Sequence, residues 1–318
     1  MSGDREIELK FLCAPEETGA VLAAAPQGEE NERELLSVYF DTPARDLSKA
    51  GVSLRVRQAG RQRVQTFKRG DGFAREEYES PVESDEPDLT RHPFDGLLPE
   101  EARSELRPAF YVRVRRRQRL VRVGGAEIEL AVDRGDVADA RRSKPICEVE
   151  LELKSGPPAA LFELARQLAR AAPLYLSFDG KSSQGSALIA GKTLEPRKAA
   201  RPKLKRWTTT SEAFQIIARA ALSQIAANGV VLREADSVEA LHQLRVAVRR
   251  LRSAVAAFKN VVDDEAAEDI VMELKWLAGA CDEARDLDVF AEDAAKFDAD
   301  GLDLAALAPV VEAARARA

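Results

Sequence analysis

The feature that most constrains this chain is a charge pattern with a period of two. In Glu6-Ile7-Glu8-Leu9-Lys10-Phe11 the even positions are charged and the odd ones apolar. Successive side chains of a strand point to opposite faces, so one face carries Glu, Glu and Lys. Glu148-Val149-Glu150-Leu151-Glu152-Leu153-Lys154 repeats the arrangement, and Glu127-Ile128-Glu129-Leu130-Ala131-Val132-Asp133 does so again. Basic strands answer them: Leu54-Arg55-Val56-Arg57, Thr66-Phe67-Lys68 and the run Arg113 to Arg117. Arg75, Glu77 and Glu79 share a face on a further strand.

Any one of these strands reads most simply as a wet outer face. Their sorting by sign argues otherwise, because a solvated face usually mixes charges. A closed sheet can turn the charged faces inward and leave the apolar faces to helices such as 157–171. Glutamates facing one another repel and lose hydration unless cations sit between them. Hard divalent cations with oxygen ligands suit that position. Arginines and lysines across the lumen suit phosphate oxygens. Acid for metal and base for phosphate in one cavity is what metal-assisted phosphoryl transfer needs.

Strand-like alternation is expected at 6–12, 52–58, 62–68, 75–80, 111–117, 119–123, 126–133 and 146–154, with helices at 15–24 and 157–171. The text changes near residue 190. KTLEPRKAARPKLKRW is basic and Pro-interrupted, and beyond Thr210 the pattern becomes helical. The expected division is a β-rich α+β domain at 1–195, a basic linker at 196–209 and an all-helical domain at 210–318. The net charge of −6 excludes a whole-protein basic field for nucleic acid. Cys13, Cys147 and Cys281 sit among apolar neighbours with no zinc spacing, which reads as reduced core thiols. The charged N-terminus and the lack of an uncharged apolar stretch of membrane-spanning length suggest a soluble, cytoplasmic protein. No GxxxxGK[ST] loop is present.

Taken in order, these segments resemble the CYTH, or triphosphate tunnel metalloenzyme, superfamily. The resemblance is carried by Glu6-x-Glu8-x-Lys10, Tyr39-Phe40-Asp41-Thr42, Leu54-Arg55-x-Arg57, Gln65-Thr66-Phe67-Lys68 and Arg75-x-Glu77-x-Glu79. It continues through Glu127-Ile128-Glu129 with Asp133, Pro145-Ile146-Cys147-Glu148 with Glu150, Glu152 and Lys154, and Lys181 after Ser177-Phe178-Asp179-Gly180. It implies an eight-stranded antiparallel tunnel. Glu6, Glu8, Glu148, Glu150 and Glu152 would bind Mg²⁺ or Mn²⁺ in a two-metal site, with Glu77, Glu129 and Asp133 as further candidate ligands. Lys10 joins the catalytic set. Lys10, Arg55, Arg57, Lys68, Arg75 and Lys181 would contact a triphosphate. On the Arg113–Arg117 strand the family position falls on Arg116, whereas alternation favours Arg113 and Arg115; a bulge would reconcile them. Relatives carry an arginine and an aromatic after the late lysine, and here the chain reads Lys181-Ser182-Ser183. Asp41 reads chiefly as the end of a strand.

In the helical part, Leu241, Leu244, Val248, Leu251, Val255 and Phe258 form one stripe at helical spacing, a core face. His242, Arg245, Arg249 and Arg252 form a second, with no acid between 240 and 259. This segment resembles the CHAD domain, a helical family associated with inorganic polyphosphate. Leu274-Lys275-Trp276-Leu277-Ala278-Gly279 and Ala284-Arg285-Asp286-Leu287-Asp288-Val289 fit its next helices. By that resemblance His242, Arg245, Arg249 and Arg252 would contact phosphates, and Arg285 with them. The expectation is a metal-dependent inorganic triphosphatase with a polyphosphate-binding appendage. The alternatives are an adenylate cyclase or a nucleoside or thiamine triphosphatase on the same tunnel, and a non-catalytic polyphosphate scaffold.

Overall fold

A computed structural model describes residues 4–70, 74–91, 100–262 and 265–296, with Pro309. Its contacts divide the chain into two compact units, 1–193 and 194–318.

The first unit is a sheet of nine strands: β1 (Asp4–Leu12), β2 (Glu30–Asp41), β3 (Val52–Ala59), β4 (Gln62–Arg69), β5 (Ala74–Pro81), β6 (Arg107–Val123), β7 (Ala126–Ala138), β8 (Ser143–Ser155) and β9 (Tyr175–Leu176). Five helices flank it: α1 (Thr18–Ala24), α2 (Asp46–Lys49), α3 (Glu100–Arg103), α4 (Ala159–Ala169) and α5 (Lys181–Ile189). The order across the sheet is β5-β4-β3-β2-β6-β7-β8-β1-β9, and β1 also pairs with β5. Asp4–Ile7 lie against Ala74–Glu77 at that seam, so eight strands form a ring. The short β9 hangs on the far end of β1. This is an α+β fold with a curled antiparallel barrel.

The charge alternation works as a folding instruction because the apolar half of each strand has somewhere to go. Leu9, Phe11, Ile128, Leu130, Val149 and Leu151 face outward from β1, β7 and β8 and are covered by α1 and α4. Leu161, Leu164 and Leu168 fill that layer from α4, each at most 1% exposed. Cys13 and Cys147 lie in it with their Sγ atoms 3.5 Å apart. A second outer cluster joins Leu54, Val56 and Phe67 to Leu47 of α2. A third fills one end of the barrel interior. There Leu35, Tyr39, Phe110, Val112 and Val114 meet Leu188 and Ile189 of α5. Gly185 makes that approach possible, since a Cβ on it would lie 2.0 Å from the Phe110 ring.

Two strand expectations change. β6 is one continuous strand of 17 residues rather than two. β2 was not anticipated as a 12-residue strand. Its first half, Glu30-Asn31-Glu32-Arg33-Glu34, is exposed and made of helix-forming residues. The ladder with β6 imposes the extended form: Arg115 pairs with Glu32, and Arg117 and Arg119 pair with Glu30 at 2.6 and 2.8 Å.

The second unit contains α6 (Thr210–Glu234), α7 (Val238–Ala257) and α8 (Glu265–Lys296). Thr209 and Glu212 form a reciprocal capping box that starts α6. Leu244, Val248 and Leu251 of α7 pack against Ala221, Leu274 and Cys281. The segment read as a linker is strapped onto these helices. Arg197 exchanges two hydrogen bonds with Asn228, each 3.0 Å, and Arg250 donates to the Ala200 carbonyl. Among the described residues one helix, α6, has the length and hydropathy to cross a membrane. It carries Arg219 near its middle and buries Gln224 and Asn228 among hydrogen-bond partners, as a bundle helix does.

Candidate active site

The inward faces enclose a cavity of about 180 Å³. Its charges are sorted by position round the ring. β1, β8 and β7 are neighbours and contribute Glu6, Glu8, Glu129, Glu150 and Glu152 to one wall. β3 and β4, on the other side of the ring, contribute Arg55, Arg57 and Lys68. Glu77 and Glu79 enter from β5 beside the seam.

The floor of the cavity, where Lys10, Arg116, Glu150 and Lys181 reach its lining, is a cluster neutralised by the protein itself. Oxygens of Asp133, Glu148 and Glu150 lie within 4.8 Å of one another, close enough to share one cation. The Lys181 ammonium takes that place, at 2.8, 2.6 and 2.7 Å from the three. Lys181 reaches it as the first residue of α5. Lys10 adds a pair with Glu150 at 3.0 Å. Arg116 grips Asp133 through two bonds of 2.7 Å and reaches Glu150 at 2.5 Å. Gln184 donates to Glu148 at 2.5 Å. Asp133 and Glu148 are fully buried and do not line the cavity. Burial alone would push Glu150 up, but Lys181, Lys10 and Arg116 hold it well below the usual carboxylate range. Burial would likewise raise Asp133, but Lys181 and Arg116 hold it low; burial would lower Lys181, but Asp133, Glu148 and Glu150 hold it well above its ordinary value.

The upper wall is different. Register places Glu8 opposite Glu152 and Glu152 opposite Glu129, so three carboxylates lie in one row across β1, β8 and β7. Like charges directly opposed across strands are destabilising. Burial, with the charges of Glu6 and Glu129, pushes the Glu152 carboxyl up despite its 2.6 Å pair with Lys154. Glu6 leans the other way, to Lys68 at 2.7 Å, and Lys68 also reaches Glu77 at 3.1 Å. Clustered carboxylate oxygens fit a hard divalent metal, and Glu6, Glu8, Glu129 and Glu152 supply them.

The basic wall is short of partners. Burial, then repulsion from Arg55 and Arg116, pulls the Arg57 guanidinium down to about 10. The Nε atoms of Arg55 and Arg57 are buried without a hydrogen-bond acceptor. Arg55 donates to the Tyr39 hydroxyl at 3.4 Å. Burial works to raise Glu79, yet the Thr66 hydroxyl at 2.9 Å with Arg55 and Arg57 holds it low. Buried guanidinium donors with free N–H groups suit an anion with several oxygens.

The structure brings together most of the expected residues and moves one out. Arg113 is exposed on the outer face of β6. No bulge intervenes: Arg116 pairs with Asp133 and Arg113 with Asp136 in unbroken register. Val112, Val114 and Arg116 point inward, so alternation inverts the expected set because valines fill the closed end. Arg75 pairs with Glu6 at the seam, and its side chain lies outside the described residues. Tyr39, Thr66, Glu79 and Ser182 also line the cavity. Tyr39, Thr66 and Glu79 stood in recognised motifs; Ser182 stood only where the chain departs from the family after Lys181. Asp41 accepts four hydrogen bonds that shape the turn to α2, as its strand-end reading implied.

In the helical unit, His242, Arg245, Arg249 and Arg252 line one side of a cavity of about 320 Å³ with Ala278 and Asp282 of α8. Arg245 pairs with Asp282 at 2.5 Å, so one of the three arginines is already answered. The Arg285 side chain lies outside the described residues.

A barrel lined with acid on one wall and base on the other defines a class before any relative is considered: a charged tunnel with ligands for a cation and for an anion in one cavity. The CYTH domain family model matches residues 4–184, and the chain belongs to that family. The CHAD domain model matches residues 216–318. An inorganic triphosphatase from Haemophilus influenzae is 32% identical over 195 residues, covering 58% of this chain and 55% of the relative. The chain thus spans about half the length of that curated relative. Among solved structures, a Hippeastrum protein classed with adenylyl cyclases and described as having a dominant triphosphatase activity is similar at 18% identity and a TM-score of 0.44. The match covers 59% of this chain and 97% of that one. A solved inorganic triphosphatase is similar at 25% identity and a TM-score of 0.23, over 49% and 77% of the two chains. At TM-scores this low neither structural likeness carries weight on its own.

Proposed function

We propose that the barrel hydrolyses inorganic triphosphate with Mg²⁺ or Mn²⁺. The observation that carries this reading is the carboxylate row Glu8–Glu152–Glu129 facing Arg55 and Arg57 in one cavity. Glu6, Glu8, Glu129 and Glu152 would hold the metal, with Glu77 beside them. The metal would supply charge neutralisation on the phosphates and acidify a water. Arg55, Arg57, Lys68 and Arg75 bind and orient the phosphate oxygens and stabilise charge on the leaving phosphate. Glu152, raised by burial and by Glu6 and Glu129, is suited to accept the proton of the attacking water. Lys181, Lys10 and Arg116 keep the buried carboxylates below in fixed positions. The relative that is an inorganic triphosphatase supports the same substrate.

In the helical unit, His242, Arg249 and Arg252 form a polyphosphate-binding face, with Arg245 contributing after Asp282 yields it. The protein works in the cytoplasm. The decisive assay offers tripolyphosphate, ATP and long-chain polyphosphate with Mg²⁺ or Mn²⁺ and resolves the products. Orthophosphate from tripolyphosphate, lost in Glu6→Ala, is the expected outcome. Cyclic AMP or a nucleoside diphosphate as the main product would replace this reading with a nucleotide enzyme. Binding without turnover would replace it with a scaffold.

A further inference from the structure

We infer that the barrel carries an outer phosphate subsite, a vestibule beside α5 that takes the fourth and later units of an inorganic polyphosphate chain. The inference rests on the proposed triphosphatase reading and adds a chain-length preference to it. The vestibule is a cavity of about 430 Å³ between α5 on one side and α2 with the Gly51 turn on the other. It shares Tyr39, Ser53, Lys68, Gly180 and Ser182 with the barrel cavity, so the two spaces adjoin.

The side chains it offers are donors. Arg45, Lys49 and Lys192 bring positive charge, and Ser48, Ser182 and Ser183 bring hydroxyls. The lining contains one carboxylate, Asp41, and that group is already saturated. Its Oδ1 accepts from the backbone N–H of Thr42 and Leu47 at 2.8 and 3.0 Å. Its Oδ2 accepts from the N–H and hydroxyl of Ser48 at 3.1 and 2.6 Å. These bonds fold residues 41–48 into a tight turn with Arg45 at φ 62, the one non-glycine residue with positive φ among the described residues. A long cation held in a left-handed conformation is costly where an Asn or Gly would serve, and such strain gathers at binding sites. Ser48 Oγ lies 3.1 Å from Ser186 Oγ and ties this turn to α5.

The same surroundings disfavour a nucleoside. A base needs hydrogen-bond acceptors and a free ring face to stack on. The one carboxylate is spent, which leaves serine hydroxyls as the acceptor side chains, and the Tyr39 and Phe110 rings stack on each other at 4.6 Å. Phe40 and Phe110 are buried, and Phe178, half-buried, is the remaining phenylalanine of the lining. A chain of phosphates needs only positive charge and donors, which are what the vestibule supplies.

The test uses the full chain with Mg²⁺ or Mn²⁺ and compares wild type with Arg45→Ala/Lys49→Ala/Lys192→Ala. All three positions are exposed, so folding is not at stake. Rates of orthophosphate release are measured for tripolyphosphate, tetrapolyphosphate, longer chains and ATP. In wild type KM should fall once the chain exceeds three units. In the variant KM for the longer chains should rise roughly tenfold, as expected for the loss of charge-assisted contacts. Tripolyphosphate kcat and KM should stay within about twofold, the range of an untouched site. Parallel losses on all chains, no loss, or no wild-type preference for longer chains would each overturn the inference. A loss confined to ATP would assign the vestibule to a nucleoside and overturn it too. Calorimetric titration of the same chains reads binding apart from turnover. A wild type that releases no phosphate defeats the hydrolase reading, while the variant's selective loss of affinity for longer chains still decides this one. The helical face is common to both proteins and cancels in the comparison.

Discussion

Two groups of carboxylates share the barrel, and the protein treats them oppositely. The lower group, Asp133, Glu148 and Glu150, is gathered round Lys181 with Lys10 and Arg116 at its flanks, and of its carboxylates Glu150 alone reaches the cavity. The upper row, Glu8, Glu152 and Glu129, opens on the cavity, and its central carboxyl is pushed up rather than down. Both began as the same period-two pattern. The difference lies in whether a lysine arrives from another element. α5 delivers Lys181 to the lower group, whereas the lysine paired with the upper row, Lys154, comes from β8 itself. The lower group therefore holds a cation that the protein itself supplies, and the proposed metal falls to the upper row.

The largest effect should come from removing the internal cation. Lys181→Met leaves buried carboxylates short of charge and should destabilise the barrel by roughly 3–5 kcal/mol, the cost of breaking a buried pair. Thermal denaturation reads this as a large fall in Tm. A variant as stable as wild type would erase the distinction between the two groups.

Glu152→Gln makes the opposite prediction. It should cut metal-dependent phosphate release by roughly 100-fold or more, while the metal-free protein keeps or gains stability because a repulsion is relieved. A clear loss of stability in the metal-free variant would mean that the upper row is scaffold as well.

Acid titration separates the groups by sign. Glu150 and Asp133 are held below their ordinary values of 4.5 and 3.8, so their stabilisation is complete above those values and is lost as pH falls beneath them. Glu152 is raised, so its cost appears as pH climbs from 4.5 through its higher folded value. Denaturant unfolding across pH in wild type and Glu152→Gln should show the second slope vanish and the first remain.

A smaller effect is expected in the helical unit. Arg249→Ala should weaken polyphosphate binding and flatten its salt dependence by about one counterion, with tripolyphosphate turnover unchanged. Fluorescence titration at several salt concentrations checks this. The smallest effect belongs to Arg113→Ala. An exposed residue on the outer face should move stability by no more than about 0.5 kcal/mol and turnover not at all.

The barrel walls were legible in the sequence because charge and apolar residues alternate at the period of a strand. Alternation placed Glu6, Glu8, Lys10, Arg55, Arg57, Lys68, Glu150 and Glu152 on the charged face of their strands, and the sorting of sign from strand to strand argued that this face turns inward. It failed on β6, where Val112 and Val114 point inward and the arginines at 113, 115 and 117 point out. Alternation names two faces but not which one is inside; the apolar plug against α5 made that choice. It failed on β2 because the Glu-rich first half resembles a helix until β6 supplies the paired arginines.

What the sequence settled by itself was the sorting of sign: acid on some strands, base on others, and apolar residues behind both. The period of a strand is local and needs no partner to be read. What only the tertiary structure decided was which acids face a lysine. Lys181 lies more than thirty residues from Glu148 along the chain, and only ring closure and the packing of Gly185 on Phe110 bring its ammonium among the buried carboxylates. Coulomb energy depends on distance in space, so a row of glutamates written in sequence becomes a metal site or a salt-bridged floor only after the fold has set those distances.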